Sequence, residues 1–218
     1  MKKRKNIITV AIDSPAAAGA GSQAKLIAKH YNLFYLDTGK IYRFIGKLKL
    51  QNKKKFNYSL IKKKIKNLKI ANLQNKNLLS DEVANSASMI AKDNKIRKIV
   101  HNFQSQCAYN PPKKYAGSIL DGRDIITVQV KDAMFKFFIT ANVKIRAMRR
   151  FHEYKQLKKK ISYKEVLKSL KKRDKSDSHR KYGRLRKTKD SVLINTNKLS
   201  KTGAFKRLKK LMDRKLKT

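Results

Sequence analysis

Arginine is scarce in this chain, and most of it falls in one stretch. Of 57 basic residues only 13 are Arg, and eight of those 13 lie between Arg123 and Arg186. Arg can grip phosphate or carboxylate through paired hydrogen bonds from a planar group, which Lys does poorly. In a chain that otherwise uses Lys freely, these arginines are candidates for binding an anionic ligand.

A loop of small residues offers a second place for anion chemistry. Between a strand and a helix, the backbone N–H groups of such a loop can cradle a phosphate, and the usual pattern is G-x-x-x-x-G-K-[ST]. Aligned to it, Ser14 takes the first glycine, Gly19 the second and Ala20 the lysine. Gly21 then adds one residue before the hydroxyl of Ser22. Taken alone, the loop is open to two interpretations, a phosphate site or an alanine-rich turn.

Apolar runs and periodicities indicate which elements must position these residues. The apolar runs predict strands at Asn6–Ile12, Leu33–Leu36, Gly117–Leu120, Ala133–Thr140 and Ser191–Asn195. Helical periodicity predicts helices at Ser22–His30, Lys40–Leu50, Tyr58–Leu68, Glu82–Ala91, Asn94–Cys107, Asn142–Lys158, Tyr163–Arg173 and Ser200–Leu216. Strands that alternate with helices indicate an α/β fold with a doubly wound parallel sheet. Residues 51–80, with one helix and little else, and 174–189, expected to be a mobile loop, are the natural insertions.

Composition narrows the class of protein. The formal net charge of +43 predicts non-specific binding of polyanions at low salt. Specific recognition of RNA or DNA is the weaker interpretation, because the lysines are spread over helix exteriors and are not interleaved with aromatic residues. No apolar run approaches the roughly 20 residues that span a bilayer, so no membrane association is expected.

The N-terminal segment and the single cysteine bear on location. The apolar run Ile7–Ile12 is short for a signal peptide and is interrupted at once by Asp13 and Pro15, so we interpret it as a strand running into a loop. One cysteine, Cys107, excludes an intramolecular disulfide and fits a reducing compartment. A cytoplasmic location is the expectation.

Six short motifs, in order along almost the whole chain, resemble those of bacterial cytidylate kinases. The segment Ile12–Ser22 resembles I-D-G-P-x-G-x-G-K-G-T, Leu36–Arg43 resembles L-D-[ST]-G-x-x-Y-R, and Glu82–Ser88 resembles E-V-A-x-x-A-S, with Arg97 at the family spacing. The later motifs are D-G-R-D at Asp121–Asp124, R-A-x-R-R at Arg146–Arg150, and R-D…D-x-x-R at Arg173, Asp174, Asp177 and Arg180. The resemblance implies a single P-loop nucleoside monophosphate kinase domain over residues 1–218. Residues 40–115 would form an acceptor-binding region with a reduced insert, and 151–189 a short lid.

The resemblance also assigns roles to the matching residues. It implies transfer of the γ-phosphoryl group of ATP to CMP or dCMP, with Mg²⁺ held on the side of Ser22, by a protein that is mostly monomeric in the family. The ATP phosphates would lie on Ser14, Pro15, Ala16, Ala17, Ala18, Gly19, Ala20, Gly21 and Ser22. The acceptor nucleotide would contact Thr38, Arg43, Ser88, Arg97, Arg123, Asp124, Asp177 and Arg180. The transfer step itself would involve Arg123, Asp124 and Arg173.

The loop departs from the family pattern at Ala20, where a lysine normally bridges the β- and γ-phosphates. Three interpretations follow: a slower enzyme, replacement by another lysine, for which Lys40 on the facing turn is the candidate, or nucleotide binding without catalysis. We favour retained activity, because a dead kinase would have little reason to keep the arginine constellation. The alternative from another class is a nucleotide- or RNA-binding protein derived from the same fold.

Overall fold

Five apolar runs pair as parallel strands in a computed structural model that describes residues 7–217. The sheet order is β2-β3-β1-β4-β5. The strands are β1 Ile8–Asp13, β2 Leu33–Asp37, β3 Gly117–Gly122, β4 Phe135–Thr140 and β5 Val192–Asn195. Central strands buried on both faces read as continuous apolar runs, which is why β1 was recognisable in the sequence. The predicted α/β class with a doubly wound parallel sheet is confirmed.

Residues 7–217 form eight α-helices. They are α1 Ala20–His30, α2 Thr38–Gln51, α3 Tyr58–Lys66, α4 Asp81–Ile90, α5 Asn94–Tyr109, α6 Val143–Gln156, α7 Tyr163–His179 and α8 Lys201–Leu216. Of these, α1 and α8 pack on one face of the sheet and α2 and α5 on the other. No helix within residues 7–217 is long and apolar enough to cross a membrane.

Alternation along the strands divides the core in two. Val10 and Ile12 of β1 pack with α1 and α8, whereas Ala11 faces the opposite cluster built on α2, α3 and α5. Successive side chains of a strand point to opposite faces, so one short run feeds both cores. A third, smaller cluster joins α6 and α7, with Ala147 and Leu170 at its centre.

All predicted strands and helices have a counterpart in residues 7–217, and their ends differ from the prediction by at most two residues, except at the end of α7. The strand predicted from Asn6 begins at Ile8, and Asn6 itself lies outside the described residues, as do 1–5 and 218. The prediction for residues 51–80 was wrong in part, because two 3₁₀ segments, Ile70–Gln74 and Lys76–Leu79, follow α3 there. Each buries one leucine against the α2 side, a tertiary contact without helical periodicity.

The prediction of a loop at 174–189 was wrong for its first six residues. Helix α7 continues to His179, and only the part after it is irregular. The last turns of α7 carry Asp174 and Asp177, each of which pairs with an arginine from another part of the fold. Charged pairs give no apolar periodicity, so the sequence did not indicate that the helix continues.

A five-residue π-helical turn after β3, Ile125–Gln129, was not predicted either. Its first N–H groups, from Ile125 and Ile126, donate to the buried carboxylate of Asp13 at 2.8 and 3.0 Å. The partner is more than 100 residues away in sequence, so local patterns could not indicate the turn. It fixes the direction in which the preceding residue, Asp124, leaves the sheet.

Candidate active site

The carboxyl ends of the strands open onto one large cavity of about 720 Å³. Parallel α/β sheets bind their ligands at this edge. The structure brings to the cavity wall all nine loop residues Ser14–Ser22 and every predicted acceptor residue, namely Thr38, Arg43, Ser88, Arg97, Arg123, Asp124, Asp177 and Arg180, together with Arg173. Of the predicted site residues, only Lys40 is not part of the wall.

The small-residue loop keeps the shape of a phosphate cradle despite its altered sequence. The N–H of Ser14 donates to the carbonyl of Gly122 at 3.2 Å, which ties the loop to β3. Gly19 takes φ 92, a left-handed conformation that suits glycine, immediately before α1 begins. Ala17 takes φ 60 at a position where the family pattern has glycine. The first N–H groups of a helix have no partner within it, so this loop presents main-chain donors to an anion.

At the position of the usual loop lysine, this chain has Ala20, whose methyl group is buried. Ala20 is 5% exposed and packs with the α1 and α8 side of the sheet. The cavity face of α2 is formed by Thr38, Gly39, Tyr42 and Arg43, at the three- and four-residue spacing of one helix face. Lys40 lies off this face, so its position does not support its selection as the replacement lysine.

Buried charges form the centre of the acceptor side. The guanidinium of Arg97, 2% exposed, hydrogen-bonds the carboxylate of Asp124, 5% exposed, and donates to the carbonyl of Ala91 at 2.9 Å. The Arg180 guanidinium stands 4.0 Å from the second Asp124 oxygen. Buried charges need partners, and the pairing with Arg97 and Arg180 holds both carboxylate oxygens of Asp124 in fixed directions.

Three buried polar atoms at this centre have no hydrogen-bond partner among residues 7–217. They are the hydroxyl of Tyr42, Nε of Arg97 and an Nη of Arg180. Burial raises the pKa of the Tyr42 hydroxyl above its usual range, which keeps this group neutral and able to donate. An unsatisfied buried donor costs free energy unless a ligand or water pairs with it. Three such donors lining one cavity indicate a polar ligand with several acceptors.

The remaining acceptor residues differ in how firmly they are held. Thr38, 4% exposed, donates its hydroxyl to the carbonyl of Asp121 at 2.7 Å, and its oxygen can still accept. Arg43 donates to the carbonyl of Leu78 at 2.8 Å from one nitrogen. Ser88 is an exposed residue of α4 at the cavity wall.

One carboxylate organises the arginines of the lid side. Asp177 of α7 accepts a hydrogen bond from Arg123 at 3.0 Å, and ion-pairs with Arg180 at 3.6 Å and Arg173 at 3.9 Å. Arg146, also buried, binds Asp174 through two nitrogens at 2.5 and 3.1 Å and the carbonyl of Ala16 at 3.0 Å. The last turns of α7 are therefore fastened both to the arginine cluster and to the phosphate loop.

The arginines of this cluster outnumber their carboxylate partners, and their mutual repulsion lowers the pKa of one of them. The neighbouring guanidinium of Arg123 and, secondly, burial lower the pKa of Arg173 to about 10, and Arg43 and Arg150 add to the effect. The Arg173 side chain is still 48% exposed to the cavity. Like charges held together without enough counter-charges form a site that an anion would stabilise.

Two acidic side chains stand beside the start of α1. Burial, and next the negative charge of Asp37, raise the pKa of the Asp121 carboxyl to about 7, while the hydroxyl of Tyr35 donates to it at 3.0 Å. A Cβ placed on Gly21 would lie 3.4 Å from Asp121 Oδ2, so this carboxylate borders the helix start directly. Hydroxyl and carboxylate oxygens are the donors that Mg²⁺ takes alongside phosphate oxygens and water. The donor set of Ser22 and these two aspartates therefore fits the ion, although no group of three acidic, His or Cys residues in the described chain could hold a metal unaided.

Several cavity residues were not singled out by sequence reasoning. Arg149 and Arg150 line the wall, the former held by the hydroxyl and carbonyl of Thr196 at 3.1 and 2.6 Å. Both belong to the R-A-x-R-R motif of the sequence, but the direction of their side chains depends on how α6 is rotated about its axis. Lys25 of α1 also lines the cavity, and nothing in the sequence distinguished it from the many other lysines. Tyr42 is buried and is also one of the residues that line the cavity.

Comparisons with known proteins show which family and which fold the chain is similar to. A family model described as cytidylate kinase matches residues 10–214. A cytidylate kinase of Bartonella tribocorum is 39% identical over 201 residues, covering 90% of this chain and 90% of the relative. One from Clostridium botulinum strain Hall is 35% identical, covering 87% and 90%. The crystal structure of an uncharacterized protein from Eubacterium ventriosum shares the fold, with a TM-score of 0.53, 18% identity and coverage of 94% and 98% of the two chains.

Proposed function

Because the chain belongs to the cytidylate kinase family, we propose that its cavity holds ATP and CMP or dCMP and transfers the γ-phosphoryl group between them. The products are ADP and CDP or dCDP. The observation that carries this is the convergence of Arg43, Arg97, Arg123, Arg173 and Arg180 on the cavity that the phosphate loop also lines. A transferring phosphoryl group spreads negative charge over its oxygens, and positioned cations are what stabilise it.

On the acceptor side, we assign recognition of the base to the buried centre. The Arg97–Asp124 pair presents a fixed donor and acceptor, and Ser88 lies on the same wall. Cytosine offers a donor amino group next to an acceptor nitrogen and carbonyl, which such a pair can read. Arg43 and Arg180 are left to grip the α-phosphate and the ribose, with Thr38 and Asp177 as hydroxyl and carboxylate partners.

On the donor side, the loop Ser14–Ser22 holds the ATP phosphates through main-chain N–H groups. Arg173 and Arg123 stand between the two nucleotides, where negative charge develops during the transfer. The carboxylate of Asp177 pairs with both guanidinium groups and orients them. Mg²⁺, when bound beside Ser22, supplies further charge neutralisation at the phosphates. The chain's own contribution is to align donor and acceptor, since phosphoryl transfer needs positioning more than covalent help.

We also propose that residues 40–115 close over the acceptor and 151–189 act as the lid. In this structure Lys159, just beyond α6, ion-pairs with Asp81 of α4 at 2.7 Å, so the two regions are in contact. Lid and acceptor regions that meet can exclude water from the transfer. A cytoplasmic location, a monomeric state and adhesion to polyanions stay predictions from the sequence.

A nucleotide panel tests the proposed function. Purified protein with ATP and Mg²⁺ is given CMP, dCMP, UMP or AMP, and ADP formation is followed in a coupled assay. We expect turnover with CMP and dCMP, and at least about tenfold lower kcat/KM with AMP, because the purine lacks the cytosine edge that Arg97 and Asp124 read. No turnover with any acceptor, while CMP still protects the protein against thermal unfolding, would contradict the enzymatic assignment. No observation favours the RNA-binding alternative.

A further inference from the structure

The absence of the loop lysine raises the question of which cation replaces it. Within residues 7–217, three lysines line the cavity wall, Lys25 of α1, Lys201 at the start of α8, and Lys92 after α4. Lys25 and Lys201 belong to the two helices that pack with Ala18 and Ala20 of the loop, whereas Lys92 does not. Lys40 is not part of the wall. A replacement must reach the β- and γ-phosphates over the start of α1, where the helix N-terminus and the small-residue loop meet.

Helix geometry directs Lys25 to that place. Lys25 lies four residues after Gly21, so the two share one face of α1, about 6 Å apart along the axis. Side chains of a helix lean towards its N-terminus and cover the preceding turn. Gly21 has no side chain, which leaves the way along this face open for the four-carbon stem of a lysine.

The charges around Lys25 agree with this direction. Asp121, at the end of β3, borders the same helix face: a Cβ on Gly21 would lie 3.4 Å from its carboxylate. The positive charge of Lys25 acts on this carboxylate, lowering its pKa against the larger effect of burial. Within residues 7–217, no hydrogen bond or salt bridge holds the Lys25 ammonium, so it is free to turn to a ligand.

We propose that Lys25 supplies the ammonium missing at Ala20 and binds the β- and γ-phosphates of ATP from one turn further along α1. The inference rests on the proposed function. In the transfer, the bond from the γ-phosphorus to the β–γ bridging oxygen breaks, a bond to an α-phosphate oxygen of CMP forms, and ADP leaves. Lys25 keeps its proton throughout and offsets the charge that grows on the bridging oxygen.

The matched control is Lys29, an exposed lysine in the last turn of the same helix that does not line the cavity. Variants Lys25→Ala, Lys29→Ala and Lys201→Ala are compared for kcat and KM of ATP at saturating CMP, and for ATP affinity by calorimetry without CMP. We expect Lys25→Ala to lower kcat/KM for ATP about 100-fold, the scale of one lost transition-state contact. Lys29→Ala should stay within about twofold of the wild type, because surface substitutions away from the site have small effects.

A double variant separates replacement of the lysine from damage to the fold. Adding Ala20→Lys to Lys25→Ala places an ammonium at the usual position and should restore kcat/KM at least about tenfold, since the two lysines would serve the same phosphates. A loss in Lys25→Ala no greater than in Lys29→Ala, or smaller than in Lys201→Ala, would overturn the proposal.

The two proposals fail in different ways. If the wild type does not phosphorylate CMP, the proposed function is wrong, and calorimetry still decides the role of Lys25. Equal ATP affinity in the wild type and Lys25→Ala would then overturn the proposal for Lys25. Weaker ATP binding in Lys25→Ala, but not in Lys29→Ala or Lys201→Ala, would support it.

Discussion

At the residue scale, the site is organised by carboxylates that hold other groups of the site in place. Asp177 directs three arginines, and Asp13 holds the turn that carries Asp124. Asp13 is fully buried, and this burial raises the pKa of its carboxyl from 3.8 to about 7, although the N–H groups of Ile125 and Ile126 act in the opposite direction. Burying this carboxyl group costs free energy, but its hydrogen bonds fix the turn that positions Asp124.

The raised pKa of Asp13 predicts that the free energy of unfolding depends on pH. In the unfolded chain Asp13 ionises near its ordinary pKa of 3.8, while in the folded protein it stays protonated until about pH 7. Between these values the folded state binds more protons, so the contribution of Asp13 to the free energy of unfolding falls as pH rises. The Asn variant does not titrate. We therefore expect the stability of Asp13→Asn relative to the wild type to increase from pH 5 to pH 8 in urea denaturation, and a pH-independent difference would contradict this.

The arginine constellation was predictable from residue type, because few substitutes exist for a planar, bidentate cation. Arg97, Asp124 and Arg180, far apart in sequence, do meet at one centre. Lys40, the lysine that the sequence offered as a replacement at the loop, does not line the cavity, and which lysines do so was not predictable. Whether a residue faces the cavity depends on the rotational phase of its helix, which short motifs do not fix.

At the element scale, the strands and most helices followed from apolar runs and periodicity, since these elements are held by burial. The elements that the sequence did not indicate are held by polar contacts over long distances: the π-helical turn on Asp13 and the end of α7 on Arg123 and Arg146. Functional sites are where local sequence rules and the final structure are expected to disagree. The carboxyl-terminal half of α7 is such an element.

The turn after α7 gives a prediction at this scale. Gly183 has φ 63, and a Cβ there would lie 2.5 Å from Asp124 Oδ2 and 2.6 Å from an Arg97 nitrogen. Gly183→Ala must displace the turn or break this pair, so we expect KM for CMP to rise at least about tenfold, the effect of losing one buried charged contact. KM for ATP should change little, because the loop Ser14–Ser22 is not in contact with this turn.

Gly203→Ala, in the first turn of α8, is the matched control. Its added methyl group would meet only the Ser200 hydroxyl at 3.3 Å and Leu199 at 3.9 Å, and helix propensity favours alanine. Steady-state kinetics of both variants with CMP and ATP decide the matter. An unchanged KM for CMP in Gly183→Ala would show that the turn does not support the acceptor centre.

At the scale of the whole molecule, one cavity lies between the carboxyl ends of the strands and the helices α2, α4 and α7. Its wall combines the main-chain donors of the loop with the arginines of α2, α5, α6 and α7 and with Arg123 just after β3. The chain carries a formal net charge of +43, and inside the cavity carboxylates pair with several of the arginines. The proposed function requires the two nucleotides to lie end to end in this single cavity.

A bisubstrate compound tests that arrangement most directly. Adenosine and cytidine joined through five phosphates would occupy both halves of the cavity at once, and linked ligands gain affinity only where both sites can be reached together. In calorimetry at moderate salt, we predict one compound per chain, an affinity at least about 100-fold above that of ATP or CMP, and loss of binding of both nucleotides in its presence. An affinity no better than that of the tighter single nucleotide, or CMP still binding to the saturated protein, would contradict a common cavity.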